Sequence, residues 1–245
     1  MHGWQTLIQG SQTCWFDEQL FPDFSVEAFE PAYWQAQDAV TGQSRGRGVT
    51  WFVRHRGLSL VLRHYWRGGL MGKLNPDRFW FSGVENSRAM AEFRLLDQLR
   101  ALGLPVPRPV AARLQRTGLC YRADLLIEQI PGARDLVHLL RQQPLSQAQW
   151  QAVGALIARL HQAGAYHSDL NAHNLLLDGD DQIWVIDFDK CALRAPGPWQ
   201  AEMLARLLRS LRKEAGLYPG FQWQETDWDH VLQGYQAHEK GAAIR

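Results

Sequence analysis

The stretch from His167 to Phe188 holds the residues of this chain best able to do chemistry. It reads HSDLNAHN, then two short apolar runs separated by DGDD, then IDFD. The DGDD segment predicts a hairpin, which would bring its ends together and place Asp187 beside the loop that carries Asp169 and Asn174. Carboxylate and amide oxygens are the hard ligands that Mg²⁺ prefers when phosphates complete its shell. The stretch therefore predicts a magnesium and phosphate site.

Two plainer interpretations apply to the same stretch. Asp169 and Asn174 belong to the residue types most common in turns and helix caps. His161, His167 and His173 recur every six residues, but they cross a helix end and a loop and lack the HxxxH spacing of a metal pair on one helix face. We therefore predict no histidine metal cluster and expect His167 to brace the loop through hydrogen bonds.

The spacing resembles the protein-kinase catalytic loop, H-R-D-x4-N followed by D-F-G. In that pattern one Asp takes the proton of the substrate hydroxyl, and the Asn and the later Asp hold metal. The resemblance implies that Asp169 is the catalytic residue and that Asn174 and Asp187 are the magnesium ligands. Ser168 replaces the Arg of HRD and Asp189 replaces the Gly of DFG. Asp189, together with Arg63 in place of the phosphate-pairing Lys, keeps a nucleotide-binding pseudokinase open as an alternative.

Elements upstream of this loop follow the protein-kinase order. Gly46 and Gly48, before a β-prone run, resemble a shortened Gly-rich loop. Arg63, near the end of the next strand, takes the place of the phosphate-pairing Lys, and Glu92 lies where its ion-pair partner is expected. Lys73 is the rival phosphate cation. The resemblance thus implies that Gly46, Gly48, Arg63 and Glu92 help to bind the nucleotide.

The segment from Glu128 to Ile130, just before Pro131-Gly132, resembles the hinge whose backbone meets adenine. The resemblance implies an α+β, bilobal protein-kinase-like fold with Mg-ATP between the lobes. Residues 1–130 would form an N-terminal extension and a nucleotide-binding lobe, with an antiparallel sheet and one helix. Residues 131–245 would form a mainly helical catalytic lobe.

Periodicity and capping predict the elements that position these residues. Strands are expected at 49–53, 58–62 and 123–130, with an extended proline-rich stretch before the last. Ser87 is the expected N-cap of a helix that runs to Leu102, and Ser146 with Gln149 forms a capping box for a helix that ends near Gly164. Further helices are expected over 199–214, before Gly216, and around 228–238.

The segments RHYWRGG and GKL, together with HSDLNAHN and IDFDK, resemble the family of 3-deoxy-D-manno-octulosonic acid (Kdo) kinases of Gram-negative lipopolysaccharide assembly. The resemblance implies an enzyme that uses ATP and Mg²⁺ to phosphorylate O-4 of Kdo on lipid A. No A-P-E motif follows Asp187, which favours a sugar or small-molecule kinase over a protein kinase. Kinases for lipopolysaccharide heptose or for an aminoglycoside remain as alternatives.

Composition and charge limit the binding partners and the cellular location to be expected. A formal net charge of +1 argues against a dedicated nucleic-acid binder, and three cysteines without a CxxC pattern indicate a reducing compartment. No signal peptide or membrane span is predicted. We expect a protein on the cytoplasmic side of the inner membrane that contacts its anionic surface peripherally, with the oligomeric state left open. The residues proposed for that contact are Arg67, Lys73, Arg78, Arg194, Trp66 and Trp80.

Overall fold

The computed structural model describes residues 3–45, 48–68 and 76–242. The chain divides into two compact units. The first comprises Met1–Gln98 and Pro107–Ile130, and the second comprises Leu99–Val106 and Pro131–Arg245. Helices and antiparallel strands are both present, which confirms the predicted α+β class.

The first unit is built on one antiparallel sheet. Its strands are β1 (Gln5–Gln9), β2 (Gln12–Phe16), β3 (Val40–Arg45), β4 (Val49–His55), β5 (Leu58–His64), β6 (Phe79–Trp80), β7 (Pro109–Thr117) and β8 (Cys120–Glu128). They lie in the order β1-β2-β7-β8-β5-β4-β3, and β6 pairs with β8. The predictions of β4, β5 and β8 are confirmed, and the proline-rich extended stretch leads into β7.

The N-terminal segment covers one face of this sheet. A 3₁₀ turn (Val26–Phe29) and helix α1 (Pro31–Ala36) bring buried aromatic side chains onto it. Trp34 is fully buried, and its indole Nε1 donates a hydrogen bond of 2.7 Å to the carbonyl of Ala28. Burying Trp34 without leaving its one donor unpaired stabilises this core. The first forty residues are therefore part of the first unit.

Helix α2 (Arg88–Ala101) packs on the opposite face. Phe93 of α2 meets Trp4 and Trp15 edge to face. Successive residues of a strand point to opposite faces, so Leu62 of β5 joins the core under the N-terminal segment while Arg63 points toward α2. This alternation is what delivers Arg63 to the helix that carries its predicted partner.

The start of α2 differs from the prediction in one respect. The helix begins at Arg88, directly after Ser87 as expected, but the buried Ser87 hydroxyl has no hydrogen-bond partner among the described residues. The hydroxyl of Tyr121 accepts the Arg88 N–H at 3.1 Å instead. The side-chain capping role predicted for Ser87 is therefore wrong, and the first N–H of the helix is bound by a residue of a neighbouring strand.

The second unit is mainly helical. It contains α3 (Leu136–Leu140), α4 (Gln147–Gln162), α5 (Trp199–Leu217), α6 (Glu225–Ala242), a 3₁₀ turn (Ala172–Asn174) and the short strands β9 (Arg134–Asp135), β10 (Ala165–Tyr166), β11 (Leu175–Leu177), β12 (Ile183–Val185) and β13 (Ala192–Leu193). The capping box of Ser146 and Gln149 is confirmed. Helix α5 continues through Gly216, and α6 is longer than predicted at both ends.

Helices α4 and α6 cross at two glycines. A Cβ atom at Gly154 would overlap the carbonyl of Val231, and one at Gly234 would overlap the carbonyl of Gln151. The missing side chains let the two backbones approach closely, which fixes where α6 lies on α4. Over the described ranges, none of the helices combines the length and apolar character needed to cross a bilayer.

Candidate active site

The hairpin of β11 and β12 brings the two halves of the predicted site together. Leu175 pairs with Val185 in antiparallel register. At the open end of the hairpin, next to this pair, the Ile186 N–H donates a hydrogen bond to the Asn174 carbonyl at 3.0 Å. Asp187 is the next residue along the chain, so its backbone lies beside Asn174. The predicted hairpin and its consequence for Asp187 are confirmed.

His167 holds the loop to the end of the hairpin. Its side chain is buried, with Nε2 3.0 Å from the Ile186 carbonyl and Nδ1 3.2 Å from the Asp169 backbone N–H. Since a carbonyl only accepts and an N–H only donates, these contacts select the neutral tautomer with the proton on Nε2. Burial lowers the pKa of His167, which favours this neutral form. The bracing role predicted for His167 is confirmed.

Asn171 and Asn174 shape the backbone around Asp169. The Asn171 Oδ1 accepts the N–H groups of His173 and Asn174 at 2.9 and 3.2 Å. Both amide side chains donate to the Asp169 carbonyl, at 3.1 Å from Asn171 and 2.9 Å from Asn174. With its Nδ2 group engaged, Asn174 keeps its Oδ1 as the atom able to ligate a cation. The Asp169 carboxylate itself is 58% exposed.

Asp187 has a strained backbone. Its φ is +66°, in the left-handed region where residues with a Cβ are uncommon, although Asp tolerates it better than most. Such strain persists only where the surroundings impose it, and it concentrates at functional sites. The next residue, Phe188, is buried and lies edge to face on His167 with ring centroids 4.8 Å apart. The strained backbone of Asp187 and the buried Phe188 therefore fix the position from which the Asp187 carboxylate projects.

Two of the three departures from the kinase pattern, Ser168 and Asp189, contact each other. The Ser168 hydroxyl donates to the Asp189 carbonyl at 2.8 Å, and the Ser168 N–H lies 3.2 Å from the sulfur of Cys191. Ser168 thus ties the catalytic loop to the segment after Asp187 by a neutral hydrogen bond. The pair acts structurally and removes none of the three oxygen-bearing groups of the site.

The predicted partners in the first unit also meet. The Nη2 atom of Arg63 lies 2.6 Å from both carboxylate oxygens of Glu92. The Tyr65 hydroxyl donates to the same carboxylate at 2.6 Å, and the Glu92 side chain is only 2% exposed. Burial first, and then the negative charge of Glu92, raise the pKa of Tyr65 well above its usual value. The buried Glu92 carboxylate is thus bound by the Arg63 cation and by the neutral Tyr65 hydroxyl.

Of the residues predicted for phosphate binding near the Gly-rich segment, the structure describes only one. Gly46 and Lys73 lie outside the described residues. At Gly48 a Cβ atom would overlap the indole of Trp66, so packing alone requires glycine there. The structure thus supplies a reason for Gly48 that does not involve a nucleotide, and its predicted role in binding stays a prediction.

The hinge segment has one open position. Glu128 and Gln129 donate their backbone N–H groups to the carbonyls of Arg108 and Ser59, both at 2.8 Å. Ile130 follows the end of β8, and within the described part of the chain its N–H has no backbone partner. Of the two predicted hinge residues, Ile130 is therefore the one whose amide is available to a ligand.

Sequence reasoning missed the part that α5 plays. The Sδ atom of Met203 lies 3.4 Å from the His167 N–H, and the Ser210 hydroxyl accepts the Ala172 N–H at 3.1 Å. Between them on the helix, Arg206 places Nη1 3.7 Å from Oδ1 of Asp169. The amphipathic pattern of α5 predicts a buried face, but no local signal shows that this face meets the catalytic loop.

The donor set fits a magnesium nucleotide by its chemistry. Asn174 and Asp187 supply an amide oxygen and a carboxylate, and phosphate oxygens would complete the octahedral shell that Mg²⁺ prefers. Over the described residues, no group of three or more His, Cys, Asp or Glu side chains forms a separate metal site.

Comparison with solved structures defines the class of fold. A solved structure of "WaaP in complex with acyl carrier protein" superposes with a TM-score of 0.56, covers 86% of each chain and is 17% identical. This likeness supports the fold alone, the predicted protein-kinase-like architecture. The model of the Lipopolysaccharide kinase (Kdo/WaaP) family matches residues 31–235. The chain belongs to this family.

Curated relatives agree with the family. A 3-deoxy-D-manno-octulosonic acid kinase of Vibrio parahaemolyticus is 49% identical over 91% of this chain and 94% of its own length. One of Haemophilus influenzae is 45% identical over 86% of this chain and 90% of its own. The chain is therefore a phosphotransferase with an alcohol acceptor, a kinase of lipopolysaccharide biosynthesis.

Proposed function

We propose that the protein transfers the γ-phosphoryl group of ATP to O-4 of Kdo on a lipid A acceptor. The observation that carries this proposal is the identity of 45% to 49% with the two Kdo kinases above over most of both chains. The geometry of the catalytic loop supports it, because a hydroxyl acceptor needs an accessible carboxylate beside a metal-binding pair. Asp169, Asn174 and Asp187 provide that combination.

Asp169 is the proposed catalytic residue. It accepts a hydrogen bond from the sugar hydroxyl, orients the oxygen toward the phosphoryl group and takes its proton as the bond to phosphorus forms. The exposure of its carboxylate leaves room for a sugar ring. His167, Asn171 and Asn174 hold the backbone of Asp169, so the carboxylate is positioned before the acceptor arrives.

Asn174 and Asp187 are the proposed magnesium ligands, and Arg63 is the proposed phosphate cation. Bound Mg²⁺ would supply neutralisation of the charge on the phosphates. Glu92 holds the guanidinium of Arg63 through its two carboxylate oxygens. We also assign the adenine contact to the hinge, with Ile130 the favoured residue, and leave Glu128, Gly46 and Gly48 as weaker predictions for nucleotide binding.

The lipid acceptor implies a membrane setting, and we propose peripheral contact with the cytoplasmic side of the inner membrane. Trp80 is 65% exposed and Trp66 is 36% exposed, so both rings can reach a surface. Arg67 and Arg194 stack on Phe79 and Tyr166, which keeps their charges near aromatic groups.

Binding of vesicles with anionic lipids should weaken as salt rises, and equal sedimentation at low and high salt would contradict this assignment.

Product analysis tests the proposed acceptor. The protein is incubated with Mg-ATP and, separately, a Kdo-bearing lipid A precursor, an inner-core heptose acceptor and an aminoglycoside. We expect a mass gain of one phosphate on the Kdo acceptor, with fragmentation placing it at O-4. Phosphate only on heptose or on the aminoglycoside would overturn the acceptor and keep the kinase. No transfer despite nucleotide binding would favour the pseudokinase.

Thermal denaturation tests the metal ligands. In the wild-type protein, Mg-ATP at about 100 times its dissociation constant should add about 2.7 kcal/mol of stability. Asp187→Ala should lose the magnesium-dependent part of this shift. Asp180→Ala, an exposed carboxylate in the same hairpin, is the matched control and should keep the shift. An unchanged shift in Asp187→Ala would show that the metal is held elsewhere.

A further inference from the structure

Arg206 extends its guanidinium toward the proposed catalytic residue. Its Nη1 atom lies 3.7 Å from Oδ1 of Asp169, and the two side chains are 45% and 58% exposed. This distance exceeds that of a hydrogen bond, so the ion pair is loose. Within the described residues the Arg206 side chain makes no hydrogen bond, and its N–H donors remain available to a ligand.

The placement of Arg206 is fixed by its neighbours on α5. Met203, one turn before it, contacts the His167 N–H, and Ser210, one turn after it, accepts the Ala172 N–H. Leu207, the adjacent residue, is fully buried. Since residues three and four apart lie on the same side of a helix, the face that carries Arg206 is locked to the catalytic loop at both ends. The helix position that carries Arg206 is therefore fixed beside Asp169, and the side chain reaches to 3.7 Å from its carboxylate.

The other basic residues of α5 are directed elsewhere. Arg212 forms a two-bond ion pair with Glu225 at 2.8 and 2.9 Å, and Lys213 lies 3.5 Å from Glu214. Arg209 is exposed and forms no ion pair within the described residues. In that part of the chain Arg206 is the basic side chain of α5 that shares the space in front of the catalytic carboxylate.

That space must hold the acceptor. A hydroxyl that donates to Asp169 lies within about 3 Å of its carboxylate, so other groups on the same ring come within reach of Arg206. An arginine in this place would select a ring that carries an anion, because the guanidinium fork matches a carboxylate with two parallel hydrogen bonds. Kdo is a sugar acid, whereas a neutral heptose offers no such group.

We propose that Arg206 is a specificity-determining residue that binds the carboxylate of a sugar-acid acceptor while Asp169 holds the hydroxyl to be phosphorylated. The inference rests on the proposed function and names the group by which the acceptor is chosen. Arg206 therefore binds the acceptor, and Arg63 serves the nucleotide.

The test combines substitutions in the enzyme with removal of the carboxylate charge from the acceptor. Wild type, Arg206→Ala, Arg206→Lys and the control Arg209→Ala are assayed with a Kdo acceptor and with the same acceptor whose carboxylate is converted to a neutral amide. A charge-assisted pair of this kind corresponds to about a 10- to 100-fold effect on affinity. We expect Arg206→Ala to raise the acceptor KM by that factor, with the KM for ATP unchanged.

The neutral acceptor supplies the deciding comparison. Wild type should lose the same factor on the amide, and Arg206→Ala should lose little more, because the interaction is already absent. Arg206→Lys should restore part of the affinity for the acid, and Arg209→Ala should match wild type. Melting temperatures of the Arg206 variants should stay near that of wild type because the side chain is half exposed.

Three results would contradict the inference while leaving the proposed function intact. Equal losses of Arg206→Ala on acid and amide would mean that Arg206 only positions Asp169. A raised KM for ATP would assign it to the nucleotide, and no change would make it a surface charge. Failure of the wild-type enzyme to phosphorylate any Kdo acceptor would instead contradict the proposed function and the inference together.

Discussion

The Glu92 carboxylate of the first unit is buried and closely paired, whereas the Asp169 carboxylate of the second unit is exposed and loosely paired. Glu92 is 2% exposed and bound by both Arg63 and Tyr65. Asp169 is 58% exposed, and within the described residues its carboxylate has one ion-pair contact, at 3.7 Å. One carboxylate is thus bound within the fold, and the other stays accessible, as its proposed role requires.

This difference predicts how substitutions act. Removing one partner of a buried ion pair leaves the other charge without compensation in a poorly solvated place, which costs several kcal/mol. Removing an exposed carboxylate costs little stability, because water solvates what remains. Loss of stability and loss of turnover should therefore separate between the two regions.

The largest expected effect is on turnover. Asp169→Asn keeps the shape of the side chain but removes its ability to take a proton, so kcat should fall by about 10²- to 10⁴-fold. The melting temperature and the affinity for Mg-ATP should change little. Steady-state kinetics and thermal denaturation on the same sample measure both. Turnover near that of wild type would remove Asp169 from the mechanism.

The next effect is on stability. Glu92→Ala should lower the free energy of unfolding by about 3 to 5 kcal/mol, since it leaves Arg63 and the Tyr65 hydroxyl beside an emptied space. Glu85→Ala is the matched control, because Glu85 is 70% exposed and pairs with Arg94 at 2.8 Å on the surface. It should cost less than about 1 kcal/mol. Equal losses in urea denaturation would break the comparison between buried and exposed pairs.

The same contrast explains what could be predicted from the sequence. The loop and hairpin of the site follow from spacing, because HSDLNAHN, a turn and IDFD are close along the chain. The pairing of Arg63 with Glu92 required a family pattern, and strand alternation then supplies its physical reason. Such contacts are predictable when they are local or when one periodicity fixes the direction of a side chain.

Contacts between distant segments were not predicted. Tyr65 joins the Glu92 carboxylate, Tyr121 replaces Ser87 at the start of α2, and α5 brings Arg206 to the catalytic loop. Each depends on which face of one element packs against another, which periodicity within either element does not specify. The N-terminal segment is a further case, since its aromatic residues pack on a sheet face formed by strands far along the chain.

Two histidines, one buried and one partly exposed, extend the contrast to pH. In the second unit, His161 is 3% exposed. The Tyr235 hydroxyl donates to Glu239 at 2.9 Å and therefore accepts from Nδ1 of His161, also at 2.9 Å. Nε2 of His161 is buried and has no hydrogen-bond partner in the part of the chain that the structure describes. Burial lowers its pKa to about 4, because protonation would place an uncompensated charge inside the unit.

The effect of His161 has a definite sign. Below pH 6.5 the unfolded chain binds a proton that the folded protein binds only near pH 4, so stability falls as the pH drops through this window, by up to about 3 kcal/mol. His161→Gln should flatten the profile between these values. His138→Gln, at an exposed position, should leave the slope unchanged. A profile as steep in His161→Gln as in wild type would exclude this residue as the cause.

The smallest effect has the opposite sign and arises in the first unit, at His64. Its Nδ1 atom lies 2.7 Å from Oδ1 of Asp124 and its Nε2 atom 3.4 Å from Oδ2 of Asp77. Arg113 and Arg122 bind the same two carboxylates, at 2.8 and 2.7 Å. Burial alone would lower the pKa of His64, but the hydrogen bond and charge of Asp124, followed by Asp77, outweigh it and raise the pKa.

A raised pKa means that His64 stabilises the fold fully below pH 6.5 and loses this contribution as the pH rises through the folded value. The effect should be smaller than that of His161, because the side chain is 24% exposed and both carboxylates keep an arginine when it becomes neutral. Hydrogen exchange of the β5 and β8 amides should therefore quicken from pH 6 to pH 8, after correction for the intrinsic rate, and His64→Gln should remove this dependence. Exchange that slows over the same range would mean that the histidine is neutral in the folded protein, and the two units would then respond to pH in the same direction.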